Sequence, residues 1–243
     1  MGLNYVVLGG TSALVQATLK QIEKPSNFVL IGRHAGRLRQ VADDLQARGH
    51  SSQVICCDVS WEKDKPELIW QKTLEYLKDI HVVIVGQGYL PQENSVSCEE
   101  FKKTMRFNFI SIVEFLIPVK ETLKKQKQGH IVVMTSVAGL RGRSSQYVYG
   151  SAKASMIHWL EGVRMELHPY HVFVTDVRPG PVWTPMTQHL EKGFLFAEDE
   201  DVGADILRGM QKKLDVIYTP RWWRIILLVI CLIPSWIYKR LRF

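Results

Sequence analysis

Six short runs rich in β-branched residues recur along the chain, and each is followed by a longer stretch with helical periodicity. The runs are Tyr5–Leu8, Phe28–Ile31, Gln53–Cys56, His81–Val85, His130–Met134 and Val172–Val177. Between them lie amphipathic segments such as Ala35–Arg48, with Leu38, Val41 and Leu45 on one face, and Lys65–Leu77. Near-continuous apolar runs fit strands buried on both faces, and helix-length connections are what parallel neighbours require. The alternation therefore predicts an α/β fold, a doubly wound parallel sheet with helices on both sides. At 243 residues the chain is long enough for a substantial core, and no repeat, low-complexity stretch or linker precedes residue 218. A single domain over residues 1–218 is expected, followed by an apolar, basic C-terminal helix within residues 219–243.

The first run ends in Gly9-Gly10-Thr11-Ser12-Ala13-Leu14-Val15 and leads into a helix through about Ile22. A tight turn into a helix N-terminus offers free N–H groups and a favourable dipole to a pyrophosphate. The all-glycine form of such a turn has glycine at three positions; here Gly9 holds the first, with Ala13 and Val15 at the others. The second run ends in Gly32-Arg33, with His34 and Arg37 close behind. An acid at that place would bind the ribose 2′-hydroxyl of NAD, whereas an arginine accommodates the 2′-phosphate of NADP. The site therefore favours NADP(H) over NAD(H).

Tyr149 and Lys153 stand at i and i+4, one above the other on a helix face, and Ser136 lies upstream. A nearby cation favours a phenolate and is expected to draw the tyrosine, ordinarily near ~10, toward physiological pH. A hydroxyl at Ser136 can hold the oxygen that Tyr149 protonates. This chemistry suits moving a proton on or off a carbinol oxygen.

Taken in order, these residues resemble the short-chain dehydrogenase/reductase family, from about Asn4 to Pro220. The series is Gly9-Gly-Thr-Ser12, Asp58-Val59, Gly86-Gln-Gly88, Asn108, Ser136, Tyr149-x-x-x-Lys153 and Pro179-Gly180-x-x-x-Thr184. The resemblance implies a Rossmann-type fold and a ketone–alcohol oxidoreductase. It gives Ser136, Tyr149, Lys153 and Asn108 catalytic roles, Asn108 keeping a water in a proton relay. It also implies cofactor contacts from Gly9, Thr11, Ser12, Leu14, Arg33, Asp58, Val59, Gly86, Gly88, Tyr149 and Lys153. Pro179, Gly180, Val182 and Thr184 would close over the nicotinamide, and Met186–Glu200 would form a lid. Gln87 departs from the family's usual alanine, and Val15 adds bulk where the first helix meets the sheet. A soluble dimer or tetramer is typical of the family.

The charge is uneven. Of 31 basic residues, Arg221, Arg224, Lys239, Arg240 and Arg242 fall after Tyr218, where there is no acid; the rest of the chain has 26 basic against 24 acidic residues. No basic stripe with interleaved aromatics suggests nucleic acid. The tail's nine apolar residues Ile225–Ile233, flanked by Trp222, Trp223, Trp236 and Tyr238, suit a membrane interface. Even Trp222–Tyr238 as one helix reaches only ~25 Å, short of the ~30 Å hydrocarbon core. An interfacial anchor is expected, with a helix that covers the core or an oligomer contact as the other reading. Within the family, the Gly-x-Thr-Ser turn and this tail look most similar to bacterial decaprenylphosphoryl-2-keto-erythropentose reductases. That implies an apolar or lipid-linked substrate, a keto-sugar on a polyprenyl phosphate, and a cytoplasmic enzyme at the inner face of a membrane. Another apolar ketone (a sterol, a 3-ketosphingoid base or an acyl chain) and a non-catalytic NADP sensor are the alternatives. Cys56, Cys57, Cys98 and Cys231 match no zinc or thioredoxin spacing, no metal site is expected, and the adjacent pair reads as buried thiols in a reducing compartment. The N-terminus lacks a basic n-region and reads as a strand rather than a signal peptide.

Overall fold

The computed structural model describes residues 2–58, 65–91, 97–188, 193 and 195–241. Seven strands form one parallel sheet: β1 (Asn4–Leu8), β2 (Asn27–Gly32), β3 (Ser51–Cys56), β4 (Val82–Val85), β5 (Gly129–Met134), β6 (Val172–Pro179) and β7 (Val216–Thr219). Their order is β3-β2-β1-β4-β5-β6-β7. Six strands coincide with the apolar runs. The seventh is four residues long, one of them polar, and it straddles the boundary drawn after residue 218.

Helices α1 (Ala13–Lys20), α2 (Ala35–Ala47), α3 (Pro66–Tyr76), α4 (Cys98–Met105), α5 (Ser111–Gln126), α6 (Tyr147–Leu167) and α7 (Asp199–Gln211) flank the sheet, and α8 (Trp223–Leu232) and α9 (Ser235–Tyr238) end the chain. Strand alternation splits the core into two layers. Val6, Leu8, Val83, Val85, Ile131 and Val133 face Trp70, Phe115, Leu116 and Leu160 on α3, α5 and α6. Tyr5, Val7, Leu30, Ile84 and Val132 face Leu19, Leu38, Leu45 and Ile206 on α1, α2 and α7. The same alternation corrects the expectation of two buried thiols: Cys57 is buried, but Cys56 is exposed, because neighbours at a strand end point opposite ways. No group of residues suited to a metal occurs among the described residues.

The strand order reverses between β1 and β4, whose ends are level, Leu8 pairing with Val85 and with Ile31 of β2. In open α/β sheets the crevice beyond such a switch point is where ligands bind.

His130 gives the sheet a pH dependence. Thr175 has one hydroxyl proton and donates it to the Leu214 carbonyl at 2.5 Å, so at its 2.7 Å contact with His130 Nε2 it accepts. Nε2 therefore carries a proton, and burial, with Lys213 nearby, holds the imidazole pKa down at about 4, so the ring is neutral at pH 7. An unfolded histidine takes its proton near ~6.5. The stability this site contributes is therefore whole above that pH and is lost as pH falls toward the folded value. Urea unfolding at pH 7 and pH 4.5 should show His130→Gln losing about 2–3 kcal/mol less than wild type over that interval.

Candidate active site

The nucleotide end is built on backbone. Gly9 adopts φ +79°, and a Cβ there would stand 2.5 Å from the Gln87 nitrogen, so the turn requires glycine. Ser12 is the N-cap of α1 but makes no side-chain hydrogen bond to the helix, unlike Ser97 of α4, which accepts from the Glu100 N–H. The first N–H groups of α1 therefore remain for a ligand, which fits a pyrophosphate. Thr11 accepts from Gln16 through its carbonyl, and Leu14 is half-buried on the first turn. Val15 is accommodated by a residue far away in sequence. A Cβ on Gly86 would lie 2.2 Å from Val15 Cγ2, so the missing side chain at Gly86 leaves room for the added bulk at Val15.

Arg33 is exposed just past β2, its guanidinium 5.3 Å from the Phe107 ring centroid, with His34 and Arg37 beside it. Slight desolvation and then the two arginines push the pKa of the exposed His34 imidazole down, against a smaller opposing pull from Asp58. Cys56 of β3 pairs with Gly32 of β2, so the half-buried Asp58, two residues further on, stands on the same rim. Val59 lies outside the described residues.

Ser136 is extended and caps a short 3-10 turn, Val137–Gly139, accepting from the Ala138 N–H at 3.1 Å. Its hydroxyl lies near that of Tyr149 on the first turn of α6, close enough to pull the phenol's pKa down. Two glycines set that approach. A Cβ at Gly139 would stand 2.9 Å from the Ala154 nitrogen, and one at Gly150 would stand 2.8 Å from the Ala138 carbonyl oxygen. The 3-10 turn thus lies directly on the α6 backbone. Sequence reasoning gave neither glycine a role.

The lysine does not do to Tyr149 what the pairing suggests. Lys153 is buried and donates from Nζ to the Met134 carbonyl at 2.9 Å, and it lies 5.7 Å from the Tyr149 ring centroid. Burial dominates both groups: it pushes Tyr149 up to about 12, against a smaller downward pull from the neighbouring Ser136 hydroxyl. It pushes Lys153 down to about 8, against the pull of the Asp176 carboxylate. In this protein Tyr149 is therefore a firmly protonated phenol at neutral pH, ready to donate, which corrects the expected drift toward phenolate.

Asn108 sits in a π-helical turn, Arg106–Ile110, between α4 and α5, an irregularity that recurs at functional sites. Its Nδ2 donates to the Thr104 and Tyr89 carbonyls at 2.9 and 2.8 Å, and Oδ1 accepts from the Tyr89 N–H at 3.0 Å. The amide is occupied in fixing the segment after β4. Gln87, the departure from alanine, donates to the Phe107 carbonyl and the Ser111 hydroxyl at 3.2 and 2.8 Å and so satisfies the same turn. A Cβ on Gly88 would lie 3.4 Å from Asn108 Oδ1 and 3.8 Å from Lys153 Nζ, so Gly88, Asn108 and Lys153 meet at one place.

Pro179 ends β6, and the Gly180 N–H donates to the Thr219 carbonyl at 2.9 Å. Val182 is buried and bridges to Ala197, while the Thr184 N–H donates to Thr187 Oγ1 at 3.1 Å. Of Met186–Glu200, residues 189–192 and 194 lie outside the described set. Beneath the site a buried carboxylate, Asp176, accepts from Thr135 and from Arg178 Nε, and Arg178 also donates to the Tyr218 hydroxyl at 2.9 Å. Asp176 and Arg178 stand inside a strand pattern, so the sequence offers no spacing by which to find them.

The short chain dehydrogenase family model matches residues 4–193 of this chain. An uncharacterized oxidoreductase of Staphylococcus epidermidis is 27% identical over 191 residues, covering 77% of this chain and 81% of that protein. A 3-ketodihydrosphingosine reductase of Mus musculus is 27% identical over 191 residues, covering 76% of this chain and 58% of that enzyme. Among solved structures, a short-chain dehydrogenase of Sphingobium yanoikuyae in complex with NADPH shares the fold, with a TM-score of 0.80 at 18% identity over 92% of this chain and 91% of that one. The matched span carries β1 to β6 and every residue of the Ser136, Tyr149 and Lys153 cluster; the chain belongs to the short-chain dehydrogenase/reductase family and is an NAD(P)-dependent oxidoreductase.

Proposed function

We propose that this chain is an NADP(H)-dependent reductase of an apolar or lipid-linked ketone. The observation that carries the reading is the cluster of Ser136 beside Tyr149, with Lys153 buried behind it and 5.7 Å from the Tyr149 ring centroid. A bound dihydronicotinamide supplies the hydride. As the carbonyl carbon is reduced, its oxygen takes the Tyr149 proton while the Ser136 hydroxyl donates a hydrogen bond to it. Lys153 returns a proton to Tyr149 and is itself replenished from solvent along the Asn108 turn. Proton transfer from a positioned acid contributes roughly 10²–10⁴-fold, and preorganised donors at the oxygen add to it.

Arg33, with His34 and Arg37, supports NADP(H), since no acid stands at the end of β2. Arg33→Asp should lower kcat/KM for NADPH about 10–100-fold, as expected for a lost charged hydrogen bond, and leave NADH within a few-fold. Equal losses with both cofactors would remove Arg33 from the phosphate site.

The C-terminal tail favours a substrate carried in lipid, a keto-sugar on a polyprenyl phosphate, and a place at the inner, cytoplasmic face of a membrane. The similarity to a 3-ketodihydrosphingosine reductase favours a second substrate, a long-chain ketone of that kind. Incubating the enzyme and NADPH with a membrane lipid extract and identifying the alcohol formed decides between them. Binding of NADPH without turnover on any ketone would replace both with a nucleotide sensor.

A further inference from the structure

A helix packed on one side needs one apolar face, and α8 has two. Trp223 and Leu227 are buried against Val137, with Ile226 and Ile230 beside them. The opposite stripe is Ile225, Leu228, Val229 and Leu232, spaced i, i+3, i+4, i+7 and 58–73% exposed. Trp236, 62% exposed on α9, continues it. Contiguous exposed apolar surface of this kind marks an interaction site.

Charge says what covers it. Arg224 stands in the first turn of α8, where the helix dipole disfavours a cation, and has no ion pair among the described residues. Lys239 and Arg240 have none either, and Arg221 only approaches Asp205 at 3.8 Å. These cations therefore do little for the fold. Two copies meeting on this stripe would bring them together, whereas an anionic bilayer is opposite in sign. Trp222 and Trp236 beside them suit the headgroup level. The ten residues of α8 span ~15 Å, half the ~30 Å hydrocarbon core. No helix among the described residues is long and apolar enough to cross a membrane. A helix of this kind lies in the interface.

We infer that the Ile225, Leu228, Val229 and Leu232 stripe docks on an anionic lipid bilayer and holds the active-site loops against it; the role in substrate delivery rests on the lipid-ketone reading above. Contacts on two sides join α8 and α9 to those loops. Arg141, five residues after Ser136, donates from Nη1 to the Cys231 carbonyl at 2.7 Å and from Nη2 to that of Ile233 at 2.8 Å. Its guanidinium lies 4.2 Å from the Tyr238 ring centroid, and the Tyr238 hydroxyl donates to the Gly142 carbonyl at 2.9 Å. On the other side Trp223 sits on Gly180, where a Cβ would fall 1.9 Å from the indole nitrogen. The docking helix is thus fixed both to the turn that follows Ser136 and to the Pro179-Gly180 loop.

The test is flotation of the full chain with phosphatidylcholine vesicles, with and without phosphatidylglycerol. Wild type should float with the anionic vesicles, and Leu228→Glu with Val229→Glu should weaken this at least ~10-fold, as should high salt, which screens exposed charge. Turnover of a water-soluble ketone should stay within two-fold, showing the variant folded. Undiminished flotation of the variant, or no binding of wild type to anionic vesicles, would overturn the docking. So would a wild-type dimer that the same substitutions dissociate, which would assign the stripe to a second copy. If vesicle binding holds but only soluble ketones are reduced, the docking stands and the lipid-ketone reading falls.

Discussion

Tyr149→Phe is expected to lower kcat about 10²–10⁴-fold, the range for losing a positioned general acid, while NADPH still binds. The ring keeps its place on α6, so the loss belongs to the hydroxyl beside Ser136. Burial keeps the phenol protonated up to about 12, so wild-type reduction should not fall at neutral pH for want of Tyr149 protons. Lys153 is expected to set the alkaline limit instead: held down at about 8, it should lose the proton it is proposed to return to Tyr149 as pH rises through that value. Single-turnover reduction against pH, with NADPH binding followed by fluorescence, separates these effects. Turnover of Tyr149→Phe within a few-fold of wild type would remove it from the chemistry.

Asp176→Ala should be the most damaging substitution outside the reacting groups. It removes the carboxylate that holds Arg178 and Thr135, leaving a buried guanidinium with the Tyr218 hydroxyl and a 3.9 Å approach of Glu161. Breaking a buried pair in this way costs about 3–5 kcal/mol, or roughly 10 °C in Tm for a chain of this size. Asp176→Asn should lose less, because it keeps an acceptor for Thr135. Both variants take away the charge that supports the Lys153 ammonium, so the alkaline limb of activity should move to lower pH. A Tm within 2 °C of wild type for Asp176→Ala would show that Arg178 is compensated elsewhere.

The fold was legible where one periodicity acts over many residues. β1, β2, β4 and β5 are apolar runs because both faces of the strand are covered, as at Val83 to Val85; β3, at the sheet edge, is apolar only from Val54 to Cys56. β7 escaped because an edge strand of four residues, half of them partly exposed, carries no such run. Residue identity also placed Ser136, Tyr149 and Lys153 in one cluster. Their electrostatics were not legible, because the state of Tyr149 depends on how deeply α6 is buried and on Lys153 turning to the Met134 carbonyl. Residues that compensate one another over long separations were hidden for the same reason. Val15 is tolerated because of Gly86, and Gln87 is useful because the chain makes a π turn at Phe107.

The Ser136, Tyr149 and Lys153 cluster is proposed to reduce a ketone with hydride from NADPH. Deuterium transfer from NADPH carrying deuterium at both nicotinamide C4 positions, with a membrane lipid extract as the source of ketone, tests this reaction. The prediction is one deuterium on the carbinol carbon of a single product, formed by wild type and at least ~100-fold more slowly by Tyr149→Phe. NADPH that binds but transfers no deuterium to any ketone, lipid or soluble, would contradict it.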